Sequence, residues 1–303
     1  MADDLLLYLN GEILAERDAH ISPFDRGFLW GDGVYEITPV LNGRLFHLDD
    51  HLQRLERSLR YVQIEPPLDI AGIKDVTLRL MDANADRLTP GSMYRLGHWV
   101  TRGEDTPTFA ALDAGPSTLM IFLRPVDVAA LAETQRTGIR LAVTPTHRNS
   151  PQSIETRAKV TSKINQTLAE LDAAAHNAQA LMLDLNGNIS EHAISNFFLV
   201  RDGEVWTPPD RNILEGVTRK VIFELAAELD ITLLERDMTL YDIAQADEYF
   251  ISSSAVGLMP VNAIDRYRPI AAIPGPITQR LMTAYAHHAG FDPRLPGGRT
   301  TAK

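Results

Sequence analysis

Apolar and polar residues alternate along the first part of the chain in the pattern of short strands. The runs LLLYLN (5–10), VYEITPV (34–40) and RLFHL (44–48) are bounded by Asn10-Gly11 and Asn42-Gly43. Asn-Gly pairs next to apolar runs are typical of tight hairpins, because both residues tolerate a positive φ. The first fifty residues therefore predict antiparallel strands.

The pattern then alternates between the 3.6-residue period of helices and further strand-like runs. Helices are predicted at 49–62, 70–84, about 160–176, 217–229 and 278–290, and strands at 92–103, 118–126, 139–145, several short ones within 179–209, and 247–254. A chain of 303 residues is longer than one hydrophobic core usually serves. We therefore predict an α+β protein in two parts, connected near residues 124–138.

Composition narrows the class of protein. The formal charge is −11, which is unfavourable for nucleic acid and for an anionic membrane surface. The chain has no cysteine, which excludes disulfides, thiolate catalysis and cysteine-ligated metals. The histidine spacings do not form a ligand set, and no segment is long and apolar enough to span a membrane. We expect a cytoplasmic protein without a metal.

One turn-rich segment is unusually aromatic. DRGFLWGDGVYE (25–36) places Phe28, Trp30 and Tyr35 among glycines and aspartates, although turns are normally polar. Such a segment either packs beneath a core or lines a pocket, and the pattern alone leaves both open.

Two further segments have features that suit an anion. Gly216 and Thr218 lie at the start of the helix predicted at 217–229, where free backbone N–H groups and the helix dipole favour negative charge. Ser252-Ser253-Ser254 ends a predicted strand. Taken singly, each is also compatible with an ordinary helix start or strand end.

Lysines and one glutamate are the candidates for proton transfer. RAKVTSK (157–163) places Lys159 and Lys163 at a strand–helix junction, and Glu191 lies in a weakly charged strand region. A buried lysine can lose its proton and act as a nucleophile, whereas most lysines are simply solvated. A carboxylate in such a strand requires a cationic partner.

In combination, these segments resemble pyridoxal-phosphate-dependent aminotransferases of class IV, which have fold type IV. DRGFLWGDGVYE is similar to the N-terminal motif of the D-amino-acid aminotransferase branch, and HLQRLERS (51–58) to the helix with a phosphate-binding arginine. The lysine segment, the glutamate strand, LEGVTR (214–219) and SSSAVGLMPV (252–261) follow in the family's order. The resemblance covers about residues 8–290.

The resemblance implies a pyridoxal 5'-phosphate cofactor covalently bound to Lys159. The family's lysine precedes its glutamate by a little over thirty residues, and Lys159 precedes Glu191 by 32 whereas Lys163 precedes it by 28. Glu191 would keep the pyridine nitrogen protonated, so that the ring accepts electrons from the substrate Cα. Lys159 would also move the proton between Cα and the cofactor, in a ping-pong reaction.

The resemblance also assigns several residues to binding of the cofactor phosphate. Arg54, the backbone of Val217 and Thr218, and Ser254 would bind it. Asn196 is a candidate to organise the glutamate strand. The resemblance also implies a homodimer of chains with a small N-terminal domain (1–123), an interdomain loop (124–136) and a larger C-terminal pseudo-barrel domain that binds the cofactor (137–303).

The sequence departs from the D-amino-acid branch where that branch binds the substrate carboxylate. The family's Arg-x-His pair follows a Val-Thr-Arg-Gly strand, but here VTRG (100–103) is followed in the loop by Thr108, Phe109 and Ala110. Tyr35 matches the family's substrate tyrosine, and Arg26 and Arg102 are substitute carboxylate ligands. Phe28 and Trp30 could line the pocket for the substrate side chain or pack at a subunit boundary.

Two features bear on the other branches. Branched-chain enzymes bind the carboxylate partly on backbone amides of the turn that here reads Ser254-Ala255, so Ala255 is a candidate substrate ligand. His192 follows Glu191, where the family generally has glycine, and could narrow the pocket or bond near the cofactor.

The expected function is amino transfer from an amino acid, with a D-amino acid as the leading donor, to a 2-oxo acid such as pyruvate or 2-oxoglutarate. A branched-chain L-amino-acid or an (R)-amine aminotransferase is the alternative. Aminodeoxychorismate lyase and a non-catalytic protein of the same fold are further alternatives.

Overall fold

The computed structural model describes residues 5–108 and 110–298. Contacts divide the chain into two compact units. The first comprises residues 1–126 and 158–163, and the second comprises 127–157 and 164–303. Phe109, one of the loop positions where the Arg-x-His pair is missing, lies outside the described residues.

The first unit is built on a six-stranded sheet with the strand order β2-β1-β6-β5-β3-β4, in which every paired neighbour is antiparallel. Its strands are β1 (Leu6–Leu9), β2 (Glu12–Ala15), β3 (Gly33–Leu41), β4 (Arg44–Leu45), β5 (Met93–Thr101) and β6 (Thr118–Val126), and its helices are α1 (Arg26–Trp30), α2 (Leu48–Val62) and α3 (Ile70–Ala83).

The core of the first unit lies between one face of this sheet and helices α2 and α3. Leu52, Leu55 and Leu59 of α2 are buried against Leu96 and Ile121 of the sheet. Because strand side chains alternate between faces, the residues between these core positions point to the opposite face. That second face carries Tyr35, which is partly exposed.

The second unit is built on an eight-stranded mixed sheet with the strand order β12-β11-β10-β13-β14-β7-β8-β9. Its strands are β7 (Ile139–Val143), β8 (Gln179–Leu183), β9 (Ile189–His192), β10 (Asn196–Arg201), β11 (Glu204–Thr207), β12 (Leu233–Glu235), β13 (Glu248–Ser253) and β14 (Gly257–Ile264), and its helices are α4 (Val128–Thr137), α5 (Ile164–Ala174), α6 (Val217–Glu228), α7 (Leu240–Ile243) and α8 (Pro276–Ala289).

Two aromatic rings lie at the centre of the main core of the second unit. Phe198 and Phe250 stack on neighbouring strands with ring centroids 4.7 Å apart. Val221 and Ile222 of α6 and Leu281 of α8 pack in the same cluster. The α+β fold class in two parts is therefore confirmed.

Three segments differ from the expectations at the level of elements. The helix expected from about residue 160 begins at Ile164, because 158–163 pairs with the first unit instead. The predicted interdomain loop, 124–136, contains the end of β6 and most of α4. The turn-rich segment 25–36 contains the one-turn helix α1. Among the described residues, no helix is both long enough and apolar enough to cross a membrane.

Candidate active site

Lys159 lies in the segment 158–163, which joins the first unit through backbone hydrogen bonds to β3. The N–H of Tyr35 donates to the carbonyl of Lys159 (3.0 Å), and the N–H of Thr161 donates to the carbonyl of Gly33 (2.9 Å). The N–H of Lys159 donates to Oγ of Ser58 on α2 (3.1 Å). These three hydrogen bonds fix the backbone of the segment around Lys159 between a strand and a helix.

The side chain of Lys159 lies over the ring of Tyr35. Its Nζ atom is 4.5 Å from the ring centroid, and Nζ of Lys163 is 5.4 Å from the same ring. The lysine and the tyrosine that the resemblance assigns to cofactor and substrate are thus neighbours. The structure also places Lys163 beside this ring.

Directly behind Tyr35, Glu36 forms a buried ionic cluster with α2. Arg54 donates from Nε (2.7 Å) and Nη2 (2.8 Å) to the two oxygens of Glu36, and Nδ1 of His51 lies 2.8 Å from Oε2. Burial raises the pKa of Glu36, but the charge and hydrogen bonds of Arg54 and His51 outweigh it, so the pKa lies well below its usual 4.5. Burial lowers the pKa of His51. Glu36 therefore holds the guanidinium of the candidate phosphate arginine in a fixed orientation.

The aromatic segment is organised by Asp25, which is 1% exposed. Its carboxylate caps α1 by accepting from the N–H of Gly27 (2.7 Å) and accepts from the hydroxyls of Thr101 and Thr118 (2.8 Å each). Phe28 and Trp30 on this helix are 77% and 57% exposed, so neither packs beneath the core of the unit.

The two arginines proposed as substitute carboxylate ligands are bound to internal partners. Arg26 donates to Asp32 (2.9 Å) and Asp105 (2.6 Å). Arg102 donates from Nε and Nη2 to Asp32, and from Nη1 and Nη2 to the carbonyls of Gln63 and Val62. This arrangement argues against a role for either in binding a substrate carboxylate.

In the second unit, Glu191 lies on β9 and accepts from three groups. Arg148 donates from Nε to Oε1 (2.9 Å), and Oε2 accepts from Nδ2 of Asn196 (3.3 Å) and from the N–H of Leu214 (3.1 Å). Glu191 is 4% exposed. Arg148 supplies the cationic partner that a carboxylate in this position requires, and Asn196 hydrogen-bonds the same carboxylate.

The start of α6 lacks a side-chain cap. Gly216 occupies the cap position without a side-chain hydrogen bond to the helix, so the first N–H groups have no side-chain cap. Thr218 is buried in the first turn. On β13, opposite Asn196 in the sheet, Oγ of Ser252 is buried without a hydrogen-bond partner among the described groups. The next turn contains Ser254, and these features suit an anionic, polar ligand.

His192 points away from the carboxylate of Glu191, because neighbouring residues in a strand face opposite sides. Its Nε2 lies 3.0 Å from Oε1 of Gln179 on β8, and its Nδ1 accepts from the N–H of Ile194 (3.2 Å). Burial lowers its pKa to about 4. The contact between His192 and Gln179 joins β9 to β8.

The comparison with protein families agrees with this geometry. The sequence model described as "Amino-transferase class IV" matches residues 33–264, which is more than half of the chain. The chain belongs to the class IV aminotransferases.

Similar proteins include members of two branches. A protein of Methanocaldococcus jannaschii, provisionally named a branched-chain-amino-acid aminotransferase, is 36% identical over 262 residues, which are 86% of this chain and 88% of the relative. D-alanine aminotransferase of Listeria monocytogenes is 30% identical over 277 residues, covering 90% and 92%. A branched-chain aminotransferase of Thermoproteus uzoniensis, solved with norvaline, has a TM-score of 0.84 at 26% identity and covers 94% and 95%.

The protein is therefore a pyridoxal-phosphate-dependent aminotransferase. The residues present fit this cofactor, because the uncapped start of α6 and the orphaned hydroxyl of Ser252 offer donors to a phosphate. The carboxylate of Glu191 suits a protonated pyridine nitrogen, and the amine of Lys159 suits the aldehyde.

Three residues of these clusters were not singled out from the sequence. Arg148 lies in the polar loop after β7, 43 residues before Glu191, and nothing in the local pattern indicated their contact. His51, for which the sequence analysis indicated no role, is fully buried. Glu36 carried one usable signal, since an acid flanked by apolar residues in a strand faces the core and needs a cation.

Proposed function

We propose that the protein transfers the amino group of an L-amino acid with an apolar side chain, of the branched-chain kind, to a 2-oxo acid such as pyruvate or 2-oxoglutarate. The observation that carries the amino-transfer chemistry is the position of Lys159, whose backbone is hydrogen-bonded to β3 and whose amine lies over Tyr35.

Each residue of the site would have a defined task. Lys159 would hold the cofactor and then take and return a proton at the substrate Cα. Arg54, the N–H groups of Val217 and Thr218, and Ser254 would bind the phosphate, while Glu191 would keep the ring nitrogen protonated. The bound cofactor supplies an electron sink for the bond electrons at Cα.

The groups that could bind the substrate carboxylate favour a branched-chain L-amino-acid aminotransferase in this proposal. Arg26 and Arg102 are held by Asp32 and Asp105, and the Arg-x-His pair is absent. Backbone amides of the Ser254-Ala255 turn are then the remaining candidate for the substrate carboxylate. The 36% identical relative and the norvaline complex support an apolar amino donor.

A D-amino-acid donor is the second candidate. It is favoured by Tyr35, which occupies the position of the substrate tyrosine in that branch and lies beside Lys159. The 30% identical D-alanine aminotransferase supports the same interpretation.

The cofactor assignment predicts a visible absorption band in the purified protein after addition of pyridoxal phosphate. Lys159→Ala should lose this band and all transfer activity, because it removes the only amine proposed to bond the cofactor. Lys163→Ala is the matched control and should keep the band, although both amines lie near Tyr35. A band that disappears only in Lys163→Ala would assign the role to Lys163 instead.

The substrate assignment is tested with a panel of donors. L- and D-forms of alanine, norvaline, leucine and glutamate, and (R)-1-phenylethylamine, are combined with pyruvate and 2-oxoglutarate. We expect the highest kcat/KM with L-leucine or L-norvaline. Preference for D-alanine would favour the second candidate, and release of pyruvate from aminodeoxychorismate without an acceptor would favour a lyase.

We also propose that the active form is a homodimer. Phe24, Phe28 and Trp30 are 65%, 77% and 57% exposed within one short segment, and exposed apolar groups of this kind mark an interface. Light scattering should give twice the chain mass of 33.6 kDa. A monomer that is active at all concentrations would contradict this proposal.

A further inference from the structure

A row of aromatic rings begins beside Lys159, on the face of the six-stranded sheet that carries Tyr35. The ring of Tyr35 lies under its Nζ, and the centroid of Tyr35 is 4.7 Å from that of Trp99. Trp99 is in turn 5.0 Å from Phe122. These residues lie on β3, β5 and β6, and all three are only partly buried. The row thus leads from the reactive amine across an accessible apolar surface.

Gly97 allows two of these rings to lie close to the sheet. It pairs with Phe122 and lies two residues before Trp99, on the same face. A Cβ at this position would lie 2.6 Å from Cζ3 of Trp99 and 2.7 Å from Cζ of Phe122. Both distances are too short, so a side chain at 97 would tilt the rings away from the sheet and into the space above it.

A cavity of about 510 Å³ adjoins this face. The chemistry of its lining indicates which kind of ligand it suits. Trp99 and Met120 of the sheet, Phe28 of α1 and Thr161 are among its lining residues. Asp25 also borders it, but its carboxylate already accepts from Gly27 and two threonines. A lining that is mostly apolar, and whose one acid is already hydrogen-bonded, favours an uncharged side chain.

We propose that Gly97 and Trp99 set the size of the amino-donor side chain, and that the cavity accepts a bulky apolar or aromatic group. This inference rests on the proposed function, because it takes the amine of Lys159 as the reacting group. In the native chain, the rings of Trp99 and Phe122 lie close to the sheet over Gly97 and leave room above it. Any side chain at 97 reduces that room, and a smaller ring at 99 enlarges it.

The kinetic test compares the holoenzyme with Gly97→Ala, Trp99→Phe and Arg95→Ala. Arg95 is exposed on the same strand and serves as the matched control. Alanine, norvaline, leucine and phenylalanine are used as donors, in the stereochemistry that the native enzyme turns over. Gly97→Ala should lower the ratio of kcat/KM for phenylalanine to that for alanine by about tenfold or more, the effect expected of one methylene-sized change. Trp99→Phe should raise this ratio, and Arg95→Ala should leave it unchanged.

Binding separates this inference from the proposed function. Calorimetry measures the affinity of the inert acids propionate, 4-methylvalerate and 3-phenylpropionate for the native holoenzyme and Trp99→Phe. The inference is supported if the affinity for these acids rises with the size of their side chains, and rises more steeply in Trp99→Phe. This result would support it even if the enzyme turned over no donor, an outcome that would contradict the proposed function. The inference is overturned if Gly97→Ala and Trp99→Phe both keep the size preference of the native enzyme. If Gly97→Ala does not fold, an unchanged preference in Trp99→Phe overturns it.

Discussion

Glu36 combines a strand position with complete burial, so its charge depends on two neighbours. The side chain is 0% exposed and pairs with Arg54 and His51 on α2. Removing one partner of a buried ion pair leaves the other charge uncompensated, which costs more than the pair itself contributes.

Glu36→Gln should therefore lower the free energy of unfolding by about 3–5 kcal/mol, because Arg54 keeps its charge without a carboxylate. Urea denaturation at pH 7 measures the change. Glu56→Gln is the matched control, since Glu56 forms an exposed pair with Arg60 and its loss should cost at most about 1 kcal/mol. Similar losses in both variants would contradict the ionic role of Glu36.

The acid response of Glu36 has a defined sign. Since its pKa in the folded protein is held below 4.5, its contribution to stability is present above pH 4.5 and is lost as the pH falls below that value. The difference in unfolding free energy between the native protein and Glu36→Gln should shrink on acidification below pH 4.5. A difference that grows on acidification would contradict the ion pair.

At the scale of elements, the one-turn helix α1 depends on one residue at each of its ends, Asp25 at the start and Gly31 at the end. The carboxylate caps the helix and reaches β5 and β6 through Thr101 and Thr118. Gly31 then ends the helix with a φ of 66°, a conformation that glycine adopts without strain. A segment of five residues has little intrinsic helical stability, so these contacts hold Phe28 and Trp30 in place.

Asp25→Ala should lower the free energy of unfolding by about 3 kcal/mol, because it removes a cap and leaves two hydroxyls without an acceptor. Asp69→Ala is the matched control, as Asp69 caps α3 at an exposed site and its loss should cost about 1 kcal/mol. Equal losses in urea denaturation would show that only the cap matters.

At the scale of the whole molecule, neutral buried histidines make stability depend on pH. Burial lowers the pKa of His98 to about 3 and that of His192 to about 4, against 6.5 for an ordinary histidine. Below pH 6.5 the unfolded chain binds protons that the folded chain does not, so stability falls as the pH falls toward these values.

Each of these histidines should contribute a slope of up to about 1.4 kcal/mol per pH unit between pH 6 and 5. His192→Gln should reduce the slope of the unfolding free energy by about one such contribution, measured by urea denaturation in that range. An equal slope in the two proteins would show that His192 is protonated in the folded state.

The sequence predicted most elements because their periodicity is local. Helices α2, α3 and α6 begin and end within two residues of the expected bounds, and β6 matches its prediction. The order of the family's motifs likewise indicated the class of enzyme and its cofactor, since each motif is contiguous in the chain.

The candidate site required tertiary structure, because its contacts join residues far apart in sequence. Lys159 donates to Ser58 across 101 positions, and Arg102 pairs with Asp32 across 70. No local pattern shows that an arginine in a loop is already bound to an aspartate, or that Gly97 lies beneath two rings. By itself the sequence determined which elements form and which chemistry they serve. The tertiary structure decided which side chains are committed to internal partners and which face a substrate, because burial and pairing depend on the packing of distant strands.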